Sequence, residues 1–176
     1  QLAGGGGSHT VVGNTVSGSE GGIKIHNSYQ NTVSGNVCYA VGRGLWLLEG
    51  ADYNVLNGNV IWNASGYGID LLTSPAVKYC IFSNNLFKLS TATTAIGIRM
   101  SSAGANYNRF IGNAFWGGTT TQTGAYIVAS NNYNIFEGND FDSTNFGTLV
   151  SDAGTGNVFT RNRGYVTENG GYTLFT

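Results

Sequence analysis

The amino-acid sequence predicts an all-β chain wound into a single-stranded parallel β-helix, a solenoid of six to seven coils. Three observations predict it: a motif that returns about every 25 residues, an in–out alternation of period two inside each copy, and a composition suited to tight turns. The 176 residues include 28 Gly, one Pro and one Met, with eight Lys or Arg and nine Asp or Glu. A hydrophobic content of 41% with 12% aromatics excludes a disordered chain. Glycine without a three-residue period, and almost without proline, excludes collagen. Glycine and asparagine beside β-branched and aromatic residues signal many short strands joined by turns.

Along the chain, residues 1–9, with Gly4-Gly5-Gly6-Gly7-Ser8, read as a flexible N-terminal segment. Residues 10–165 carry the solenoid. Their motif is Asn-x-apolar-x-Gly-Asn-x-apolar, with full copies starting at Asn31, Asn54, Asn108 and Asn134. A degenerate copy starts at Cys80, and partial copies start at Asn14 and Asn157. These starts lie 17, 23, 26, 28, 26 and 23 residues apart. A second motif, Gly-apolar-x-apolar, falls once in each interval, at Gly22, Gly44, Gly68, Gly97, Gly124 and Gly147. The arc from motif start to glycine varies from 8 to 17 residues, whereas the return arc stays within 9 to 12. Leucine-rich spacing is absent and propeller blades need longer repeats. Stacked coils of two or three strands fit, each adding about 4.8 Å along the axis. Residues 166–176 break the repeat and are expected to cap the last coil or to begin a further domain.

Superposing the copies predicts three inward columns. The first is Val16, Val33, Leu56, Phe82, Phe110, Phe136 and Phe159. The second is Cys38, Ile61, Phe87, Phe115 and Phe141, and the third is Ile25, Leu47, Leu71, Met100, Ile127 and Val150. Like residues stacked on like close the core of a solenoid, since each coil touches only its neighbours. The first asparagine of each motif is expected inward at a bend, in an amide ladder, and Gly35, Gly58, Gly112 and Gly138 at positive φ. Cys38 and Cys80 fall two rungs and one column apart, beyond disulfide reach, so two free buried thiols are expected.

The repeated Asn-x-apolar-x-Gly-Asn resembles the repeats of right-handed parallel β-helix proteins of the pectate-lyase-like superfamily, among them phage tailspikes, surface proteins and NosD-type repeats, over residues 10–165. The resemblance implies a right-handed coil. It implies no single activity, because that fold hosts lyases, hydrolases, epimerases, tailspikes and periplasmic accessory proteins.

Function has to be read from the outer face. A net charge of −1 without blocks of like charge argues against nucleic acid as a partner. No apolar run is long enough to cross a bilayer, so no membrane insertion is expected. Polysaccharide-cleaving β-helices need clustered carboxylates, either paired for acid–base work or arranged on Ca²⁺ beside a base, and no such cluster stands in this sequence. No metal and no cofactor are expected.

Two outward columns instead carry aromatics: Tyr39, Trp62, Lys88, Trp116, Asp142, Tyr165, and Lys24, Trp46, Asp70, Arg99, Tyr126, Leu149. Flat rings beside Ser- and Thr-rich loops suit sugars, which offer apolar C–H faces and hydroxyl edges. The leading expectation is a non-catalytic surface or viral fibre module, tailspike-like, that binds a polysaccharide or cell-surface glycan through Tyr39, Trp46, Trp62, Trp116, Tyr126 and Tyr165. Such a module would be extracellular, on a cell surface or a virion, with a homotrimer or a neighbouring domain at its C-terminus as partner. The alternative is a polysaccharide lyase or glycoside hydrolase, with Asp70, Arg99 and Asp142 as catalytic candidates. A purely structural spacer is a third. Asp70–Arg99 and Asp140–Arg163 are also expected as ion pairs between successive coils.

Overall fold

The computed structural model describes residues 1–72, 77–92, 94–101, 103–142 and 145–164. The described strands pair in parallel, and each coil adds one strand to each of three sheets. Sheet 1 is Thr10–Val12, Thr32–Ser34, Val55–Asn57, Ile81–Ser83, Arg109–Ile111, Ile135–Glu137 and Val158–Thr160. Sheet 2 is Thr15–Ser17, Val37–Tyr39, Val60–Ala64, Leu86–Leu89, Ala114–Trp116 and Asp140–Phe141. Sheet 3 is Leu2–Ala3, Gly21–His26, Arg43–Leu48, Tyr67–Leu72, Ile96–Met100, Thr123–Ile127 and Thr148–Asp152. Strand order within each sheet follows chain order, as in a solenoid of about six turns.

The motif explains the local geometry. Only three residues separate its first asparagine from its glycine, so sheet 1 strands are three residues long. The glycine then turns the chain toward sheet 2: Gly35, Gly58, Gly112 and Gly138 have φ of 61°, 63°, 60° and 61°, where a Cβ is unfavourable. Asn84 holds the same turn, at φ 53°, in the copy without glycine. A different constraint keeps glycine at the start of the second motif. A Cβ on Gly68 would lie 2.6 Å from the Gly97 carbonyl and 3.0 Å from the Phe87 ring.

The core is the set of inward columns. Phe82, Phe110, Phe136 and Phe159 stack with centroids 4.9, 4.6 and 4.5 Å apart. Phe87, Phe115 and Phe141 stack at 4.8 and 5.1 Å. Both end coils depart from the expected register. Val16 pairs with Cys38, and Val11 with Val33, so Val16 belongs to the second column. His9 takes the first-asparagine place, its backbone N–H donating to Asn31 Oδ1 at 3.0 Å, and the first interval is 22 residues. At the other end Val150 pairs with Ala125, and Asp152 with Ile127. Leu149 fits opposite Gly124 because, among the described residues, no later strand covers it. The glycine-rich start also joins the first coil: Leu2–Ala3 pair with Ile25–His26, and Gly7 bridges to Tyr29.

Asparagine ladders run along both corners of sheet 1, not only the expected one. The first is Asn31, Asn54, Cys80, Asn108, Asn134 and Asn157. The second is unbroken: Asn14, Asn36, Asn59, Asn85, Asn113, Asn139 and Asn162. Where one asparagine follows another, the later Oδ1 accepts the backbone N–H and the amide of the asparagine one coil earlier, which satisfies buried groups that water cannot reach. Where Cys80 interrupts, its Sγ accepts the Asn54 N–H at 3.4 Å. Cys38 and Cys80 are free and buried. Burial pushes their thiols up to about 11 and about 12.

Candidate functional site

On the outer face of sheet 2, Tyr39, Trp62, Lys88 and Trp116 stand in register as expected. Trp62 and Trp116 are two rungs apart, about 10 Å along the axis. They lean together across Lys88 until their centroids are 6.4 Å apart at 82°. Lys88 Nζ donates to the Gly117 carbonyl at 3.3 Å. Trp62 is 41% and Trp116 38% exposed, and Tyr39 is exposed as well. The loops beside Trp116 are tied together by the buried Gln122. Its Nε2 donates to the Ser90 and Ala92 carbonyls at 2.7 and 2.6 Å, and its Oε1 accepts the Gly118 N–H at 2.7 Å.

The outer face of sheet 3 carries Lys24, Trp46, Asp70, Arg99 and Tyr126 in register, followed by Ser151 where Leu149 was expected. Direction does not decide exposure here. Trp46 is half-buried between Lys24 Nζ, 4.3 Å from its ring centroid, and the Arg43 guanidinium at 4.2 Å. These are cation–π contacts, from Lys24 on the preceding rung and from Arg43 on the same strand, and they correct the expectation that Trp46 is an open platform. Asp70 is outward but fully buried. Arg99 grips it from Nε and Nη2, both at 2.8 Å, and Arg43 Nε adds a third bond at 3.0 Å. Arg99 also donates from Nη1 to the Tyr67 hydroxyl at 2.7 Å and lies on its ring at 3.6 Å. Burial pulls the Arg99 pKa down, but the hydrogen bonds and charge of Asp70, with Tyr67, outweigh it and raise it above the ordinary value. Tyr126 remains exposed.

The three catalytic candidates do not converge. Asp142 follows Asp140–Phe141, three strands of sheet 2 beyond Val60–Ala64, the strand that leads into Asp70. Three rungs amount to about 14 Å, wider than the carboxylate separations that serve glycoside hydrolysis. Asp142 accepts a bond from Asn145 Nδ2 at 2.7 Å. Asp140 and Arg163 pair at 3.2 Å as expected. Glu49, given no role from sequence, meets His26 at 2.7 Å. Tyr165 and the C-terminal segment 166–176 lie outside the described residues.

One aromatic column escaped the motif comparison. Tyr53, Tyr79, Tyr107 and Tyr133 stand at the corner between sheet 3 and the next strand of sheet 1, immediately before the motif start. Their rings stack with centroids 5.0, 5.3 and 5.4 Å apart and planes within 12°. They are 45–54% exposed, and all four sit at φ between 57° and 60°. The signal was present as a Tyr one residue before four consecutive motif starts, but that position belongs to neither motif.

The chain matches the model of one protein family, described as periplasmic copper-binding protein (NosD), over residues 6–174. No curated protein and no solved structure matches it. Copper favours thiolate, thioether and imidazole ligands, and the chain has two Cys, one Met and two His. Both thiols are held protonated by burial. The Cys80 Sγ is engaged by Asn54 and Ala51, Met100 is sealed in the core, and His26 is turned onto Glu49. Among the described residues no three His, Cys, Asp or Glu side chains converge. These residues do not fit a copper site built within this chain.

Proposed function

This chain belongs to the NosD family, and from that premise we propose that it is a non-catalytic, glycan-binding β-helix module working outside the cytoplasm. The observation that carries the reading is the Trp62–Trp116 pair, which stays exposed at right angles across Lys88 beside loops held by Gln122. Two rings at right angles offer a flat face and an edge to one ligand, and the Ser, Thr and Gly around them offer hydrogen bonds to hydroxyls. Tyr39 extends this surface on one side, and Tyr126 adds an exposed ring on sheet 3. Asp70 supports the same reading from the other direction. A carboxylate held by two arginines serves as a clamp between coils and has no free oxygen for acid–base work. The finer form of the reading is a surface or tailspike-like fibre module, with a trimer or an adjoining domain as its partner.

A glycan array with the wild-type chain and with Trp62→Ala and Trp116→Ala tests it. Binding by the wild type that falls at least about tenfold in either variant, the weight of an aromatic anchor, supports it. No binding, or binding indifferent to both changes, removes it.

A further inference from the structure

The tyrosine ladder has a geometry that packing alone does not account for. A bulky residue at positive φ is strained, and an aromatic pair returns less than one such strain costs. Four such residues therefore cost more than their three ring contacts return, and glycine would hold the turn without strain. Gly156 does so one coil after Tyr133, at φ 70°, and a Cβ there would lie 2.8 Å from the Tyr133 ring. Gln30, at φ 55°, occupies the same corner one coil before Tyr53. The ladder is therefore four rings long and bounded at both ends.

Its outward side is a comb. Tyr79 and Tyr107 are covered on both faces and Tyr53 and Tyr133 on one, so along the ladder solvent meets ring edges and hydroxyls that recur every 5.0–5.4 Å. The four hydroxyls make no hydrogen bond with any described residue. The column beside them is tied from rung to rung by hydrogen bonds and carries no net charge, Asp52 being balanced by Lys78. Asp52 Oδ1 accepts the Lys78 N–H at 2.7 Å, Asn106 Oδ1 the Asn132 N–H at 2.7 Å, and Asn132 Oδ1 the Thr155 N–H at 2.8 Å.

We propose that this ladder is a subsite for a neutral, linear polysaccharide lying parallel to the solenoid axis, one sugar ring per coil. It rests on the glycan reading above and deepens it. A site that repeats the same group at a constant interval is matched by a ligand that does the same. The spacing of the tyrosines is close to the advance per ring of an extended β-1,4-linked pyranose chain. A folded partner other than a second solenoid lacks that periodicity, and a polyanion would meet no excess of positive charge here.

Calorimetric titration tests the proposal with cello-, xylo- and chito-oligosaccharides of one to six rings, and with coiled laminari-oligosaccharides of equal length. Affinity for at least one extended series should rise with each ring up to four and then level off. Tyr79→Phe and Tyr107→Phe keep the stack and the melting temperature, yet each should weaken the four-ring ligand about 3- to 10-fold, the value of one hydrogen bond. Affinity independent of length, or Phe variants that bind as tightly as wild type, overturns the proposal. Glycan binding that fails in Trp62→Ala and Trp116→Ala but survives both Tyr variants overturns it while leaving the glycan reading in place. Absence of binding to every probe and on the array overturns both.

Discussion

Asn113 lies in the middle of the unbroken ladder, and its loss can be worked bond by bond. The side chain is 1% exposed. Its Oδ1 accepts the Asn85 N–H at 3.0 Å and the Asn85 amide at 2.9 Å, and its Nδ2 donates to the Phe82 carbonyl at 2.9 Å and Asn139 Oδ1 at 3.0 Å. In Asn113→Ala the Asn85 amide keeps the Leu56 carbonyl, and Asn139 Oδ1 keeps the Asn113 backbone N–H. The Asn85 N–H loses the acceptor that holds it, and the Phe82 carbonyl loses that donor. An orphaned buried group costs about 1–3 kcal/mol, and the small cavity adds about 0.5–1 kcal/mol. The variant should therefore lose about 3–4 kcal/mol. Asn14 ends the same ladder in an exposed coil, where its amide only donates and water can replace its partners. Asn14→Ala should cost no more than about 0.5 kcal/mol. Urea unfolding followed by far-ultraviolet circular dichroism measures both. Equal losses, or a cost for Asn113→Ala below about 1 kcal/mol, would refute the view that ladder amides carry the corner's buried hydrogen bonds.

Other changes test other parts of the solenoid. Asp70→Ala leaves Arg43 and Arg99 facing each other without their shared carboxylate, and thermal unfolding should show a loss of about 3–5 kcal/mol. Cys80→Asn restores the ladder, because the Ala51 carbonyl already accepts from Cys80 Sγ at 3.1 Å and can take the new amide. It should stabilise by about 1 kcal/mol in the same urea assay. Folded thiols hold their protons to about 11 and about 12, whereas unfolded ones release them near 9. Unfolding therefore releases protons above pH 9, so stability is intact below that value and falls as pH climbs toward 11–12. The decline should be shallower in Cys80→Asn when melting is compared at pH 8 and pH 10. Gly68→Ala drives a Cβ against the Gly97 carbonyl, whereas Gly138→Ala meets open space at φ 61°. Chemical denaturation should show the first costing several times the roughly 1 kcal/mol of the second.

The sequence by itself determined the parallel solenoid, the middle of every inward column and the free state of both cysteines. The physical reason is that each coil touches only its neighbours, so the fold writes itself as repetition. Phe82, Phe110 and Phe136 can be superposed in the chain because they are superposed in space. At the ends the repetition weakens, since a coil with one neighbour tolerates His9 for an asparagine and Leu149 for a glycine. There the true register came from backbone pairing. Tertiary structure alone decided which outward residues water reaches. Alternation gives Trp46, Trp62 and Asp70 the same outward direction, but exposure depends on whether Lys24 and Arg99 arch over from adjacent coils, and Arg43 along its own strand and onto the next, or stand away. Lys24 and Trp46, Arg43 and Asp70, and Arg99 and Asp70 lie more than 20 residues apart in sequence and one rung apart in space. The four tyrosines stand one residue before aligned motif starts, so their register was legible in the sequence, but that their rings stack and stay exposed was decided by the structure.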